Sequence, residues 1–109
     1  MVESAEELKL PVTIGVGVAD DTFYSPTPRE ERNELHKKTG LVFVEMESDT
    51  LFIVGMYRGW RTGALFTSDG TPDKIKPEGG EAAFRQGVLN SIKIALHAMH
   101  KIAMADKVK

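Results

Sequence analysis

Two carboxylates separated by a single residue follow an apolar segment near the middle of the chain. Glu45 and Glu47 flank Met46 directly after Leu41–Val44. The strand period of two should direct both carboxylates to one side and Met46 to the other. A vicinal diol offers two hydroxyl donors at a spacing that one carboxylate can accept. The pair is therefore a candidate diol site; helix N-terminal caps or salt bridges are the alternative.

Another carboxylate and a pair of aromatic rings lie at similar places. Asp69, in Ser68-Asp69-Gly70, ends a further apolar segment, where it could act as a general acid if burial favours its protonated form. An Asx turn is the alternative for this dipeptide. Phe23 and Tyr24 could offer a face to a planar ring, or simply pack on the core.

The sequence gives no basis for a metal site. His97 and His100 have a helical i, i+3 spacing that could chelate a metal, but no third ligand is suggested nearby. The absence of cysteine excludes disulfides, thiolate zinc sites and cysteine nucleophiles. We therefore expect no metal and no organic cofactor.

Length and charge restrict the class of protein. The 109 residues suit one α/β domain, over 1–109, and 14 Lys+Arg against 16 Asp+Glu give a formal charge of −2. This balance offers no electrostatic reason for nucleic acid as a partner. No signal peptide or membrane-length apolar run is evident. We expect a cytoplasmic protein with no membrane partner.

Hydrophobic periodicity alternates between helical and strand-like segments, which predicts parallel pairing in a layered α/β structure. The predicted strands are Val12–Val18 and Leu41–Val44, both expected to be buried, and Thr62–Thr67. The predicted helices are Val2–Leu10, a helix from Thr27 to the lysines before Gly40, Ser48–Arg58 before Gly59, and Glu81–Ala103.

Particular residues predict the helix ends and the buried face of the last helix. Thr27 is expected to cap its helix with Pro28 at the first helical position, and Glu30 completes a capping box. The apolar residues of the last helix share one side, which we expect to face the core. They are Phe84, Val88, Ile92, Leu96, Met99 and Ala103.

The polar segments described above all follow predicted strands. Ligands of open parallel sheets bind beyond the carboxyl ends of the strands, so these segments are expected to converge at one edge. Three strands make an unusually small sheet, and the chain opens within a helix. We therefore expect a C-terminal portion of a larger enzyme, or a subunit that needs partner strands.

Three motifs together resemble the nucleoside phosphorylase family, which contains uridine phosphorylase and the hexameric-type purine nucleoside phosphorylase. They are Asp21-Thr22-Phe23-Tyr24, Val44-Glu45-Met46-Glu47-Ser48 and Thr67-Ser68-Asp69, in the family's order. The resemblance runs from Val12 onward. It implies a three-layer α/β/α fold with a largely parallel or mixed sheet, of which this chain is the C-terminal half.

The resemblance also implies residue roles at the sugar. Glu47 is similar to the carboxylate that holds the ribose 2′- and 3′-hydroxyls, Met46 to the residue packing under the sugar, and Glu45 to a flanking pocket residue. These contacts would orient the ribose while it gains positive charge as the base departs.

At the base, the resemblance makes Phe23 the aromatic contact, Ser68 a substrate-binding residue and Asp69 the catalytic acid that protonates a purine at N7. The base itself stays open. Asp-Thr-Phe-Tyr and Glu-Met-Glu-Ser are more similar to uridine phosphorylases, whereas Ser68-Asp69 is more similar to the purine enzymes.

The function implied is ribosyl transfer from a uridine or purine nucleoside to inorganic phosphate, giving ribose 1-phosphate and free base. Phosphate is a co-substrate, and the family implies a homo-oligomer, a hexamer. The glycine- and arginine-containing segments of the family's phosphate site are not in this sequence. A nucleosidase-type hydrolase and a truncated, non-catalytic nucleoside-binding fragment are the alternatives.

Overall fold

The computed structural model describes residues 1–71, 74–75 and 78–108, and it confirms the α/β class. The chain divides into a central unit, Ile14–Ala64, and a terminal unit, Met1–Thr13 with Leu65–Lys109. Among the described helices, none is long and apolar enough to cross a membrane. The helices are α1 (Val2–Glu7), α2 (Arg29–Thr39), α3 (Ser48–Arg58) and α4 (Glu81–Lys107), and the strands are β1 (Gly17–Ala19), β2 (Phe43–Glu45), β3 (Gly70–Thr71) and β4 (Lys74–Ile75).

In the central unit, β1 and β2 pair in parallel, as predicted, with Gly17 opposite Phe43 and Ala19 opposite Glu45. Two flanking bonds extend the ladder. The Val42 N–H donates to the Val16 carbonyl and the Asp20 N–H to the Glu45 carbonyl, both at 2.9 Å. Both strands therefore end side by side at the same edge.

The side chains of the second strand segment occupy the space left by glycines in the first. A Cβ on Gly17 would overlap the ring of Phe43, and a Cβ on Gly15 would lie 2.5 Å from a methyl of Val42. Glycine at both positions lets these bulky side chains lie across the neighbouring strand.

Helix ends follow the sequence predictions in part. Gly40 and Gly59 end α2 and α3 with left-handed φ values of 70° and 67°, as predicted. The predicted Thr27 cap is wrong, because α2 begins one residue later with Pro28 at the N-cap position and no side-chain cap bond. The Thr27 N–H instead bonds the hydroxyl of Ser25 at 3.2 Å.

The predicted strand Thr62–Thr67 does not form, although the structure describes all of its residues. Instead β3 and β4, which follow it in the chain, form a short antiparallel pair with Gly70 opposite Ile75. A strand needs a neighbour to complete its backbone hydrogen bonds. None of the described strands pairs with residues 62–67.

The predicted strand Val12–Val18 is also shorter and less buried than expected. Only its last two residues fall within β1, and Ile14 and Val16 are 70% and 69% exposed. Val42 and Val44 in the second segment are about half exposed as well. The two-stranded sheet therefore leaves apolar side chains uncovered.

In the terminal unit, α1 packs on α4 through small and branched side chains. Ala5, Ile94 and Ala98 are buried there together with Ser4. Ser4, Ala5 and Ala98 are small, so the two helices can pack closely at this contact.

Lys101 of α4 forms ion pairs with two glutamates of α1. Its Nζ lies 2.5 Å from Glu7 Oε1 and 3.2 Å from Glu3 Oε2. The hydrogen bond with Glu7 raises the pKa of Lys101, and the bond with Lys101 lowers the pKa of Glu7. Ion pairing thus adds to apolar burial between the two helices.

The predicted core face of α4 is wrong. Its members Ile92, Leu96 and Met99 are 50%, 62% and 64% exposed, whereas Ile94 and Ala98 are buried. Helical period alone does not select between two apolar faces. The buried face of α4 contains Ile94 and Ala98 and is the face that α1 contacts.

Candidate functional site

The candidate site is built on the edge where β1 and β2 end. Asp20 follows β1 directly, and Met46 and Glu47 follow β2. The bond from the Asp20 N–H to the Glu45 carbonyl places the two chain exits next to each other. The loop that carries Phe23 and the segment that carries Glu47 therefore leave the sheet at one edge of the central unit.

The first loop is anchored by Asp20. Its Oδ1 accepts the Thr22 N–H at 2.8 Å, and its Oδ2 lies 3.6 Å from Nη1 of Arg32 on α2. Both charged side chains are about a quarter exposed. Asp20 is thus occupied in fixing the start of the loop, and this leaves the aromatic residues beyond it to meet a ligand.

Phe23 and Tyr24 form an edge-to-face pair. Their ring centroids are 5.0 Å apart at an interplanar angle of 80°. Phe23 is 65% exposed, so much of its ring surface is uncovered. An exposed ring held against a second ring is a suitable surface for a planar base.

Glu45 is bound internally through both carboxylate oxygens. Oε2 accepts the N–H groups of Glu47 and Ser48 at 2.8 and 2.7 Å, and Oε1 accepts the Ser48 hydroxyl at 2.5 Å. The hydrogen bond from Ser48 lowers the pKa of Glu45, against a smaller opposing effect of desolvation. The N-terminus of α3, where negative charge is favoured, also suits the charged form of Glu45.

Glu47 has a different environment. It is the N-cap residue of α3, with φ −130° and ψ −26°, and it is exposed. Its Oε2 accepts only a 3.3 Å bond from the Met46 N–H, and Oε1 has no hydrogen-bond partner within the described part of the chain. Glu47 is consequently the carboxylate with acceptor capacity left for a ligand.

The strand alternation expected for the two carboxylates is wrong, because β2 ends at Glu45 and the chain bends before Glu47. Met46 lies in that bend and is 39% exposed. Met46 therefore precedes Glu47 at the same edge of the sheet with part of its surface uncovered.

Ser68 and Asp69 belong to the terminal unit. The Ser68 hydroxyl donates to the Gly70 carbonyl at 2.6 Å and accepts the Gly70 N–H at 3.3 Å. These local bonds are therefore made by Ser68 and not by Asp69. Asp69 is exposed, so the burial expected to favour its protonated form is not found, and the strand expected to precede it does not form.

Sequence reasoning assigned no role to two residues that shape the site, Ser48 and Arg32. Ser48 is 9% exposed and is part of the Glu45 network. Its signal in the sequence is the spacing of three residues from Glu45, which suits a bond at a helix start. Arg32 gave no such signal, because its partner Asp20 is twelve positions away and meets it only through the fold.

Comparison with known proteins identifies the family. A family model described as the phosphorylase superfamily matches residues 1–105, so the chain belongs to that superfamily. This match confirms the resemblance inferred from the three motifs.

Relatives with assigned names share this region. The chain is 35% identical over 104 residues to the purine nucleoside phosphorylase of Plasmodium vivax, covering 91% of this chain and 41% of that protein. The Plasmodium falciparum purine nucleoside phosphorylase is 36% identical over the same shares. The guanosine phosphorylase of Halorubrum lacusprofundi is 28% identical over 91% of this chain and 43% of its own length.

The chain thus spans about two-fifths of the length of the curated relatives it matches. No solved structure matches it significantly.

Proposed function

We propose that this protein, at its native length, is a nucleoside phosphorylase that acts on purine nucleosides. It transfers the ribosyl group to inorganic phosphate and releases the free base and ribose 1-phosphate. The observation that carries the proposal is the position of Glu47 at the carboxyl edge of a parallel strand pair. Its exposed carboxylate accepts one long hydrogen bond and has acceptor capacity left for a ligand. Superfamily membership and the names of the relatives support the same activity.

At the sugar, Glu47 accepts hydrogen bonds from the ribose 2′- and 3′-hydroxyls, and Met46 packs under the ring. A charge-assisted bond to a carboxylate is stronger than a neutral one and fixes direction. As the glycosidic bond breaks, the ribose gains positive charge, which a nearby carboxylate stabilises. The positions of Glu47 and Met46 in one bend support this assignment.

At the base, Phe23 stacks against the ring, Ser68 contacts it and Asp69 supplies a proton to N7. The departing base gains negative charge, so protonation lowers the barrier to its departure. The names of the relatives support a purine rather than uridine.

We also propose that other parts of the native protein pack against this chain. Several large apolar side chains are exposed, which supports their burial against another apolar surface in the native protein. They are Ile14, Val16, Ile92, Leu96 and Met99. We propose that the native protein completes a three-layer α/β/α domain of which this chain is the C-terminal half. Its remaining part or a neighbouring subunit of a cytoplasmic homo-oligomer contributes the phosphate site.

Phosphate dependence tests the proposal. The native-length protein is incubated with inosine, guanosine or uridine, with and without inorganic phosphate, and free base and ribose 1-phosphate are measured. We expect purine release that requires phosphate and yields ribose 1-phosphate, and no turnover by the 109-residue chain alone. Release of base and free ribose without phosphate would instead identify a nucleosidase-type hydrolase, and no turnover of any nucleoside would contradict the proposal.

A further inference from the structure

Met46 and Glu47 link β2 to α3. Glu45, the residue before this link, bonds both to the neighbouring strand and to the start of α3. The Glu45 carbonyl accepts the Asp20 N–H and so belongs to the parallel ladder. Its carboxylate accepts the N–H groups of Glu47 and Ser48 at the start of α3. One residue thereby ties the strand to the helix across the link.

We propose that Glu45 is a positioning residue, which holds the backbone of Glu47 so that the Glu47 carboxylate meets the ribose, and which does not itself contact the nucleoside. The inference rests on the proposed function and assigns a separate task to each of the two carboxylates.

The first argument is the use of acceptor capacity. Three donors already bond the Glu45 carboxylate at 2.5–2.8 Å, all from Glu47 and Ser48. A bond from Glu45 to a ligand hydroxyl would have to compete with these bonds, at a cost, because unpaired N–H groups near a helix start are unfavourable. The Glu47 carboxylate has no such obligation, since among the described residues it accepts only the 3.3 Å bond from the Met46 N–H.

The second argument is conformational. Glu47 is outside the helical region, at φ −130° and ψ −26°, and its own side chain makes no cap bond to the helix. Its conformation is therefore not fixed by α3 alone. Its backbone has a 2.8 Å bond from the Glu47 N–H to Glu45 and a longer bond, 3.5 Å, from the Leu51 N–H to the Glu47 carbonyl. The shorter bond ties Glu47 to the last residue of β2, and small displacements of a positioning group reduce rates strongly.

A double-mutant cycle on the native-length protein tests whether Glu45 acts through Glu47. We expect Glu45→Ala to lower kcat/KM for a purine ribonucleoside by about 10- to 100-fold. In a Glu47→Ala background the same change should lower it less than about twofold, because the residue being positioned is gone. Independent, multiplying losses in the double variant would overturn the inference.

Two further variants separate positioning from direct contact and from general loss of stability. Glu45→Gln keeps a carbonyl acceptor for the two N–H groups, so it should recover most of the activity. If Glu45 contacted the nucleoside through its charge, Glu45→Gln would be as impaired as Glu45→Ala, and the inference would fail. The matched control is Asp49→Ala, which removes from the first turn of α3 a carboxylate that accepts the Thr50 N–H, and it should leave kcat/KM unchanged.

Amide hydrogen exchange tests the same inference without turnover. In the native-length protein with no nucleoside, the Glu47 and Ser48 amides should exchange faster in Glu45→Ala than in the wild type, with Asp49→Ala unchanged at both. Equal exchange in Glu45→Ala and wild type would overturn the inference. An inactive wild type with the expected exchange would contradict the proposed function and leave the restraint by Glu45 supported.

Discussion

The Ser48 hydroxyl donates a hydrogen bond to the Glu45 carboxylate across the junction where β2 becomes α3. Glu45 is the last residue of the strand and Ser48 the first of the helix, so the bond closes a turn that contains only Met46 and Glu47. The turn presents Glu47 at the edge of the sheet with its carboxylate lightly bonded. The geometry of this junction distinguishes a structural carboxylate from one available to a ligand.

The stability that the Glu45–Ser48 bond contributes to the fold should decrease at acidic pH. The bond from Ser48 lowers the pKa of Glu45 below its ordinary 4.5 in the folded protein. The resulting stability is fully present above that ordinary value and is lost as pH falls through the lowered pKa. Urea unfolding from neutral pH to about pH 3 should show a steeper loss for wild type than for Glu45→Gln. Glu7, whose pKa is also lowered, titrates in both proteins and cancels in the comparison; parallel curves would contradict the assignment.

Removal of the Glu47 carboxylate should affect ribonucleosides most. Glu47→Ala loses charge-assisted hydrogen bonds of about 1.5–3 kcal/mol, which is roughly a 10- to 150-fold fall in kcat/KM. A 2′-deoxyribonucleoside has one hydroxyl fewer and should lose less. Steady-state kinetics with inosine and 2′-deoxyinosine measure the difference, and equal losses would show that Glu47 does not bind the diol.

Asp69→Asn should slow purine release without abolishing nucleoside binding. Loss of a general acid costs about 10²- to 10⁴-fold in rate, while the amide keeps the size of the side chain. Single-turnover rates with a purine nucleoside and phosphate measure the step directly. A rate equal to that of the wild type would remove Asp69 from the mechanism.

A test of packing concerns Gly55 in α3. Replacing a helical glycine with alanine usually stabilises a protein by about 1 kcal/mol. Here the added Cβ would overlap the Thr62 methyl group. We expect a net loss of about 1–3 kcal/mol in the free energy of unfolding, measured by denaturant titration.

The matched background for this test is Thr62→Ser, which lacks that methyl group. In it, Gly55→Ala should become neutral or stabilising. Stabilisation by Gly55→Ala in the wild-type background would show that Thr62 does not limit the space.

Local signals in the sequence determined the elements that were predicted well. The bounds Ser48–Arg58 of α3 agree with the prediction, and so does its end at Gly59. A left-handed glycine ends a helix through bonds to the preceding turn, so its effect needs no distant partner. The parallel pairing of β1 with β2 follows similarly from the helix between them.

Elements that depend on a partner were predicted poorly. The apolar pattern of Thr62–Thr67 favours a strand, but a strand forms only where a neighbour supplies hydrogen bonds. Ile92 and Ile94 are both apolar, and only the approach of α1 determined that Ile94 is buried. Such outcomes depend on tertiary contacts that periodicity does not specify.

The candidate site was predictable in its residue types but not in its geometry. The spacing of Glu45 and Glu47 after a strand indicated a pair of carboxylates at a sheet edge. Which of the two would be bound internally depended on the last residue of β2, and strand ends are known from sequence only to within a few residues. A strand that ended two residues later would have placed both carboxylates on one side.

The central claim is that Glu47 holds the ribose, and a crystal structure of the native-length protein with a bound purine ribonucleoside tests it most directly. We predict the Glu47 carboxylate within about 3 Å of both the 2′- and 3′-oxygens, with Glu45 still bonded to Ser48. A nucleoside bound with its ribose hydroxyls away from Glu47 would contradict the account.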